Sequence, residues 1–192
     1  MNDICIRNLS KSFGAKKVFG GLNLTIKGGA ATGIMAPSGA GKTTLLRILM
    51  GLETADGGSV TGLEGKRFSA VFQEERLCEN MTAADNIRLV MPAHAGLSAI
   101  LAEMDRLGLN GCDDQPVSEL SGGMRRRVSI LRALLSEYDV LFLDEPFKGL
   151  DETLKRDVMA YVKEKTAGKT VVLVTHDKSE AMILGAEIIE II

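Results

Sequence analysis

Residues 31–52, Ala31-Thr32-Gly33-Ile34-Met35-Ala36-Pro37-Ser38-Gly39-Ala40-Gly41-Lys42-Thr43-Thr44-Leu45-Leu46-Arg47-Ile48-Leu49-Met50-Gly51-Leu52, decide the fold. The small apolar run 31–35 reads as a strand and the glycine-rich run 36–43 as a loop. Leu45, Leu46, Ile48, Leu49 and Leu52 then recur at the spacing of one buried helical face. Two more apolar runs, 140–143 and 171–174, lack any polar alternation, as strands covered on both faces do. Such strands belong to a parallel sheet with helices on either side, so an α/β fold is expected.

Outward from this core, 4–9 and 22–26 read as short strands separated by a loop in which Gly14, Gly20 and Gly21 supply turns, and 68–72 as another strand. Between 81 and 135 strand signals vanish. Ile87, Val90, Leu97, Ile100, Leu101, Met104 and Leu107 follow every three or four positions, which predicts a helical insert. A later helix is bounded by Asp151 as N-cap and Gly168 just past its end, with Leu154, Val158, Tyr161 and Val162 on one face. No internal repeat or low-complexity linker interrupts the chain.

A length of 192 residues suits one domain with an inserted subdomain. With 45% apolar and 25% charged residues, disorder, collagen and disulfide scaffolds are excluded. The 23 basic and 25 acidic residues leave a formal charge of -2, which argues against nucleic acid as a partner. Cys5, Cys78 and Cys112 are scattered without metal-site spacing. The first residues lack the charged and apolar regions of a signal peptide, and no apolar run approaches the roughly 18 residues of a membrane span. The expectation is a protein of the reducing cytoplasm that reaches any membrane through another chain.

The loop fits G-x-x-x-x-G-K-[ST] everywhere but its first position, held by Ala36. Gly39 and Gly41 let backbone amides converge on phosphate oxygens, and the following helix presents its positive N-terminus. Lys42 would neutralise phosphate charge and the Thr43 hydroxyl would ligate magnesium. An alanine at position 36 costs almost nothing if the chain there is extended, which is the expectation; a left-handed backbone would cost about 1–2 kcal/mol. About a hundred residues later, Leu141-Phe142-Leu143-Asp144-Glu145 puts two carboxylates at a strand exit. Asp144 is suited to magnesium, through water, and Glu145 to polarising an attacking water.

Leu120-Ser121-Gly122-Gly123-Met124 resembles the signature motif of ATP-binding cassette (ABC) ATPases, and the resemblance extends over essentially the whole chain. It implies a P-loop NTPase (RecA-like) parallel-sheet core with an antiparallel β subdomain, formed by 1–73 and 136–192, and an inserted α-helical signature subdomain at 74–135. It also implies ATP and Mg2+ as cofactors. By this likeness Phe13 stacks on adenine, and Ala36, Pro37, Ser38, Gly39, Ala40, Gly41, Lys42, Thr43 and Thr44 cradle the phosphates. Gln73 senses magnesium, which Thr43 and Asp144 also hold, and Glu145 is the catalytic glutamate. Gly149-Leu150-Asp151 matches the D-loop, and His176 the switch histidine that contacts the γ-phosphate. Ser121, Gly122 and Gly123 would cap the γ-phosphate held by a second copy, giving a head-to-tail homodimer with ATP at the interface. Met124 in place of the usual glutamine, and Lys148-Gly149 in place of the commoner Ser-Ala, depart from the family without removing a catalytic atom.

The resemblance implies an importer ATPase beneath membrane permease subunits on the inner face of the membrane, with a solute-binding protein in the complete system. The segment 81–87 is similar to that of nitrate, sulfonate and taurine importers, and 74–87 would receive the permease's coupling helix. A soluble or scaffold-type ABC ATPase acting on a non-transport partner is the alternative. The chain's end at Ile192 is expected to leave out a regulatory extension. Arg125, Arg126 and Arg127 read as mostly solvated surface, with at most one of them paired to an acidic neighbour, and His94 as part of a loop. Met81, Met91, Met104 and Met124 read mainly as core filling.

Overall fold

The computed structural model describes residues 2–37, 39–92 and 96–191. In chain order the elements are β1 (Ile4–Phe13), β2 (Lys16–Ile26), β3 (Ala31–Met35), α1 (Lys42–Leu49), β4 (Gly57–Thr61), β5 (Phe68–Val71), α2 (Ala83–Arg88) and α3 (Leu97–Arg106). A single 3-10 turn at Val117–Glu119 precedes α4 (Gly122–Leu135), β6 (Val140–Asp144), α5 (Glu152–Lys165), β7 (Thr170–Val174), α6 (Lys178–Ile183) and β8 (Glu187–Glu190).

Five strands form one sheet in the order β5-β6-β7-β3-β8, and every pairing in it is parallel. A second, antiparallel sheet runs β2-β1-β4. The alternation of side chains along the central strands builds two cores. Leu141, Leu143, Val171 and Leu173 face the cluster that contains Val128, Leu131, Val158 and Val162 of α4 and α5. Val140, Phe142, Val172 and Val174 face the other, with Leu45 and Leu49 of α1 and Ile4, Ile6 and Ile26 of the antiparallel sheet. Burial on both faces explains the unbroken apolar runs in β6 and β7.

Helix starts follow their caps. The Thr82 side chain accepts from the Asp85 amide, Ser121 from Met124 and Asp151 from Leu154, each satisfying a donor the first turn leaves free. Met104 fills the larger core and Met91 and Met124 pack against it.

Two expectations need correction, and one strand was not foreseen. The loop placed between 9 and 22 is mostly strand: β1 and β2 meet in a short hairpin at Gly14, and Gly20 and Gly21 lie inside β2, where irregular pairing absorbs them. Leu52 is half exposed rather than part of the buried face, because α1 ends at Leu49. β4 carried no pattern to find, since Gly57-Gly58-Ser59-Val60-Thr61 has one large apolar residue. Its place is set by backbone approach: at Gly58, φ is 88°, and a Cβ there would meet the Arg7 carbonyl oxygen at 2.5 Å.

Candidate functional site

β3 delivers the chain to the glycine-rich loop and α1 carries it away. Gly39 and Gly41 have φ of 81° and 90°, the left-handed region that favours glycine. Gly41 has a second reason to be glycine: a Cβ would lie 2.2 Å from Cγ1 of Val18, so β2 closes tightly over the loop. Ala36 is not among the described non-glycine residues with positive φ, so its side chain carries no backbone strain. Ser38 and His94 lie outside the described residues.

The loop faces the exits of the central strands. A cleft of about 520 Å³ brings Gly39, Gly41, Lys42, Thr43 and Thr44 together with Gln73 after β5, Asp144 and Glu145 at the end of β6, and His176 after β7. Lys148 also lines it, although the sequence offered it only as a departure in the D-loop. Ala36, Pro37 and Ala40 line a neighbouring apolar hollow that shares His176.

Within the cleft, the Lys42 ammonium donates to the carbonyls of Ala36 at 2.7 Å and Pro37 at 3.1 Å, which parks the cation at the rim of its own loop. The Thr43 hydroxyl donates to Oδ2 of Asp144 at 2.7 Å across 101 positions of sequence. Asp144 is only 4% exposed, and burial pushes its carboxyl above the usual range, opposed by the Thr43 hydrogen bond. Glu145 turns away from the strand at φ 48°, held there by its amide donating to the Val174 carbonyl at 2.9 Å. Nδ1 of His176 lies within hydrogen-bond distance of both Glu145 carboxylate oxygens.

The residues around His176 are fixed by charge. Lys155 of α5 reaches Asp177 at 3.1 Å and the buried Glu180 at 2.7 Å, and Thr175 donates to Glu180 at 2.5 Å. The Ser179 hydroxyl, followed by Lys155, lowers the Asp177 carboxyl to about 2 against the cost of desolvation.

Other expected site residues stand apart from the cleft. Phe13 is half exposed at the end of β1, with the Lys11 ammonium 4.8 Å from its ring centroid. Ser121, Gly122 and Gly123 start α4, and Asp151 starts α5; none of them lines the cleft. Ser121 and Gly122 are exposed.

The reading of the arginine run as solvated surface is overturned: Arg126 and Arg127 are buried. Arg127 donates to the carbonyls of Leu107 and Gly108, both at 2.7 Å, while Arg126 donates to those of Phe72 and Gln73. Consecutive positions point to different sides of a helix, and here two of those sides meet loops whose carbonyls lack strand or helix partners. A charge-run pattern holds no trace of such loops.

Oxygen donors at Thr43, Gln73 and Asp144 suit magnesium, which keeps several waters and binds through one or two protein oxygens. No cluster of three His, Cys, Asp or Glu side chains fit to cage a metal occurs among the described residues.

The family model described as "ABC transporter" matches residues 19–148. The chain is 36% identical to the spermidine/putrescine import ATP-binding protein PotA of Spiroplasma citri, over 98% of this chain and 58% of that protein. It is likewise 36% identical to the sulfate/thiosulfate import ATP-binding protein CysA of Halalkalibacterium halodurans, over 97% of this chain and 58% of the relative. Thus it spans less than two thirds of the length of these relatives. Among solved structures, the dimeric cassette MJ0796, described as a bacterial ABC transporter cassette, superposes with a TM-score of 0.84 at 28% identity, covering 98% of this chain and 94% of the other. A post-hydrolysis dimer of the same cassette bound to ADP and Pi gives 0.85 over the same shares at 28% identity.

Proposed function

Because this chain belongs to the ABC transporter family, we propose that it is the ATP-hydrolysing subunit of an importer, working as a head-to-tail pair beneath a membrane permease. The observation that carries the reading is the single cleft in which the phosphate loop, Gln73, Asp144, Glu145 and His176 converge.

The triphosphate lies along the loop, where amides near Gly39 and Gly41 and the start of α1 receive its charge. Lys42 exchanges its two carbonyl partners for phosphate oxygens. Thr43, Gln73 and Asp144 would hold magnesium, which when bound would neutralise the phosphates further. Glu145 accepts a proton from the attacking water, and His176 orients the Glu145 carboxylate through Nδ1 and presents its other ring nitrogen to the γ-phosphate. Phe13, exposed beyond the cleft, stacks on the adenine.

Ser121, Gly122 and Gly123 lie outside their own chain's cleft at the exposed N-terminus of α4. This supports their use, with Asp151, against the γ-phosphate of an opposing copy, where the helix end favours an anion. The helical segment 74–135 is an inserted subdomain, and 74–87 on it is the permease contact. No helix among the described residues is long and apolar enough to cross a membrane; the chain sits peripherally on the inner, cytoplasmic face through the permease, as the import ATP-binding relatives suggest. The relatives are named for spermidine/putrescine and sulfate/thiosulfate import. In this family the permease and a solute-binding protein choose the solute, and the likeness of 81–87 to nitrate, sulfonate and taurine importers is a motif resemblance only.

Phosphate release from ATP and magnesium tests the reading. Glu145→Gln should retain ATP binding and slow turnover by about a hundredfold, the range expected for loss of a general base. Near-normal turnover in that variant would remove Glu145 from its role.

A further inference from the structure

The segment that carries Gln73 into the cleft has unusual support. Among the described residues, none of 73–77 takes part in a backbone-to-backbone hydrogen bond. The carbonyls of Phe72, Gln73, Glu75 and Arg76 are instead held by side chains on one face of α4. Arg126 donates to Phe72 at 2.7 Å and Gln73 at 2.5 Å, Ser129 to Glu75 at 3.2 Å, and Arg132 to Arg76 at 2.9 Å. Arg126 binds nearest the site. It is 5% exposed, its Nε has no partner, and the closest carboxylate, that of Glu75, is 3.9 Å away.

A guanidinium this poorly compensated by opposite charge costs desolvation, and its principal return is geometric. The planar fork fixes two successive carbonyls at once. Those two carbonyls belong to the peptide groups on either side of the Gln73 α-carbon, so they set where the Gln73 side chain enters the cleft beside Thr43 and Asp144.

We infer that Arg126 is a positioning residue for Gln73, acting on the reaction only through the Phe72 and Gln73 carbonyls. The inference rests on the reading of Gln73 as part of the hydrolytic site. Catalytic contacts displaced by about 1 Å can lose on the order of a hundredfold in rate, so a clamp on the backbone of one such contact has kinetic weight.

Two measurements on the full chain test it. A nitroxide at Glu74→Cys, with Cys5, Cys78 and Cys112 replaced, reports the mobility of the segment without any nucleotide. Arg126→Met should raise that mobility. In ATP hydrolysis, Arg126→Met should lower kcat by about ten- to a hundredfold while KM for ATP changes less than about threefold. On a Gln73→Ala background the same substitution should change kcat by less than about twofold. Arg126→Gln keeps one amide donor, guards against a variant that fails to fold, and should lose less than Arg126→Met. Unchanged label mobility, or losses that multiply with those of Gln73→Ala, would overturn the inference. If Gln73→Ala leaves turnover unchanged, the site reading falls and the kinetic role falls with it, while the label still reports whether the clamp exists.

Discussion

Nδ1 of His176 lies 2.9 Å from Oε2 and 3.0 Å from Oε1 of Glu145, although the two residues stand on different strand exits 31 positions apart. The left-handed backbone at Glu145 aims its side chain there, and the amide bond to Val174 locks that turn against β7. The two side chains therefore form one unit across the β6–β7 seam.

A unit of this kind loses its function when either member is lost. His176→Ala is expected to lower kcat by about a hundredfold, and combination with Glu145→Gln should cost little beyond the larger single effect. Single-turnover phosphate release on the two single variants and the double variant checks this. Multiplicative losses would show that the residues act separately.

Among the described residues Lys42 bonds only to carbonyls of its own loop, so its removal should spare the fold and damage nucleotide binding. Lys42→Ala is expected to weaken ATP binding by at least about tenfold, roughly 1.4 kcal/mol, with a thermal midpoint without nucleotide close to that of the parent. Equilibrium binding of a fluorescent ATP analogue, alongside a melt, separates the two effects.

Asp177 predicts an acid-sensitive component of stability. Its carboxyl is lowered from 3.8 to about 2 in the folded chain, by the Ser179 hydroxyl first and Lys155 after it. A depressed carboxylate stabilises fully above the unfolded value, and that contribution disappears as pH falls from about 4 toward 2. Allowing for solvent screening, it is worth about 1–2 kcal/mol. Urea unfolding of Asp177→Asn should show this loss at pH 7 and a shrinking difference from the parent as the pH approaches 2. A difference that stays constant with pH would exclude the linkage.

Arg127 makes a comparable backbone clamp on the other side of α4. It fastens α4 to the Leu107 and Gly108 carbonyls after α3, so Arg127→Ala should destabilise the chain by about 2–4 kcal/mol by leaving two carbonyls unpartnered. Denaturant midpoints give the value, and a change below about 0.5 kcal/mol would mean that water replaces the guanidinium without loss.

The exposed start of α4 predicts ligand-dependent pairing. Glu145→Gln with saturating ATP and magnesium should sediment as a dimer, and the same chain with ADP as a monomer. Persistence of the monomer with ATP would set aside the shared-site arrangement.

Much of this architecture was legible locally. The strand at 31–35, the loop and α1 follow from glycine positions and apolar spacing, and the cap at Asp151 from a side chain that bonds within three residues. β6 and β7 announced their burial through composition alone. β4 did not, because its glycines serve a neighbour's backbone rather than any pattern of their own.

The sequence by itself determined which chemical groups are present and the local course of the phosphate loop into α1, since that depends on bonds and torsions within a few residues. Only the tertiary structure decided that Thr43 meets Asp144, that His176 meets Glu145, and that Arg126 is buried against the carbonyls of Phe72 and Gln73 rather than solvated. Those meetings depend on the order of strands in the parallel sheet and on which loop carbonyls lack backbone partners. Both are properties of packing between segments distant in the chain, which residue spacing does not encode.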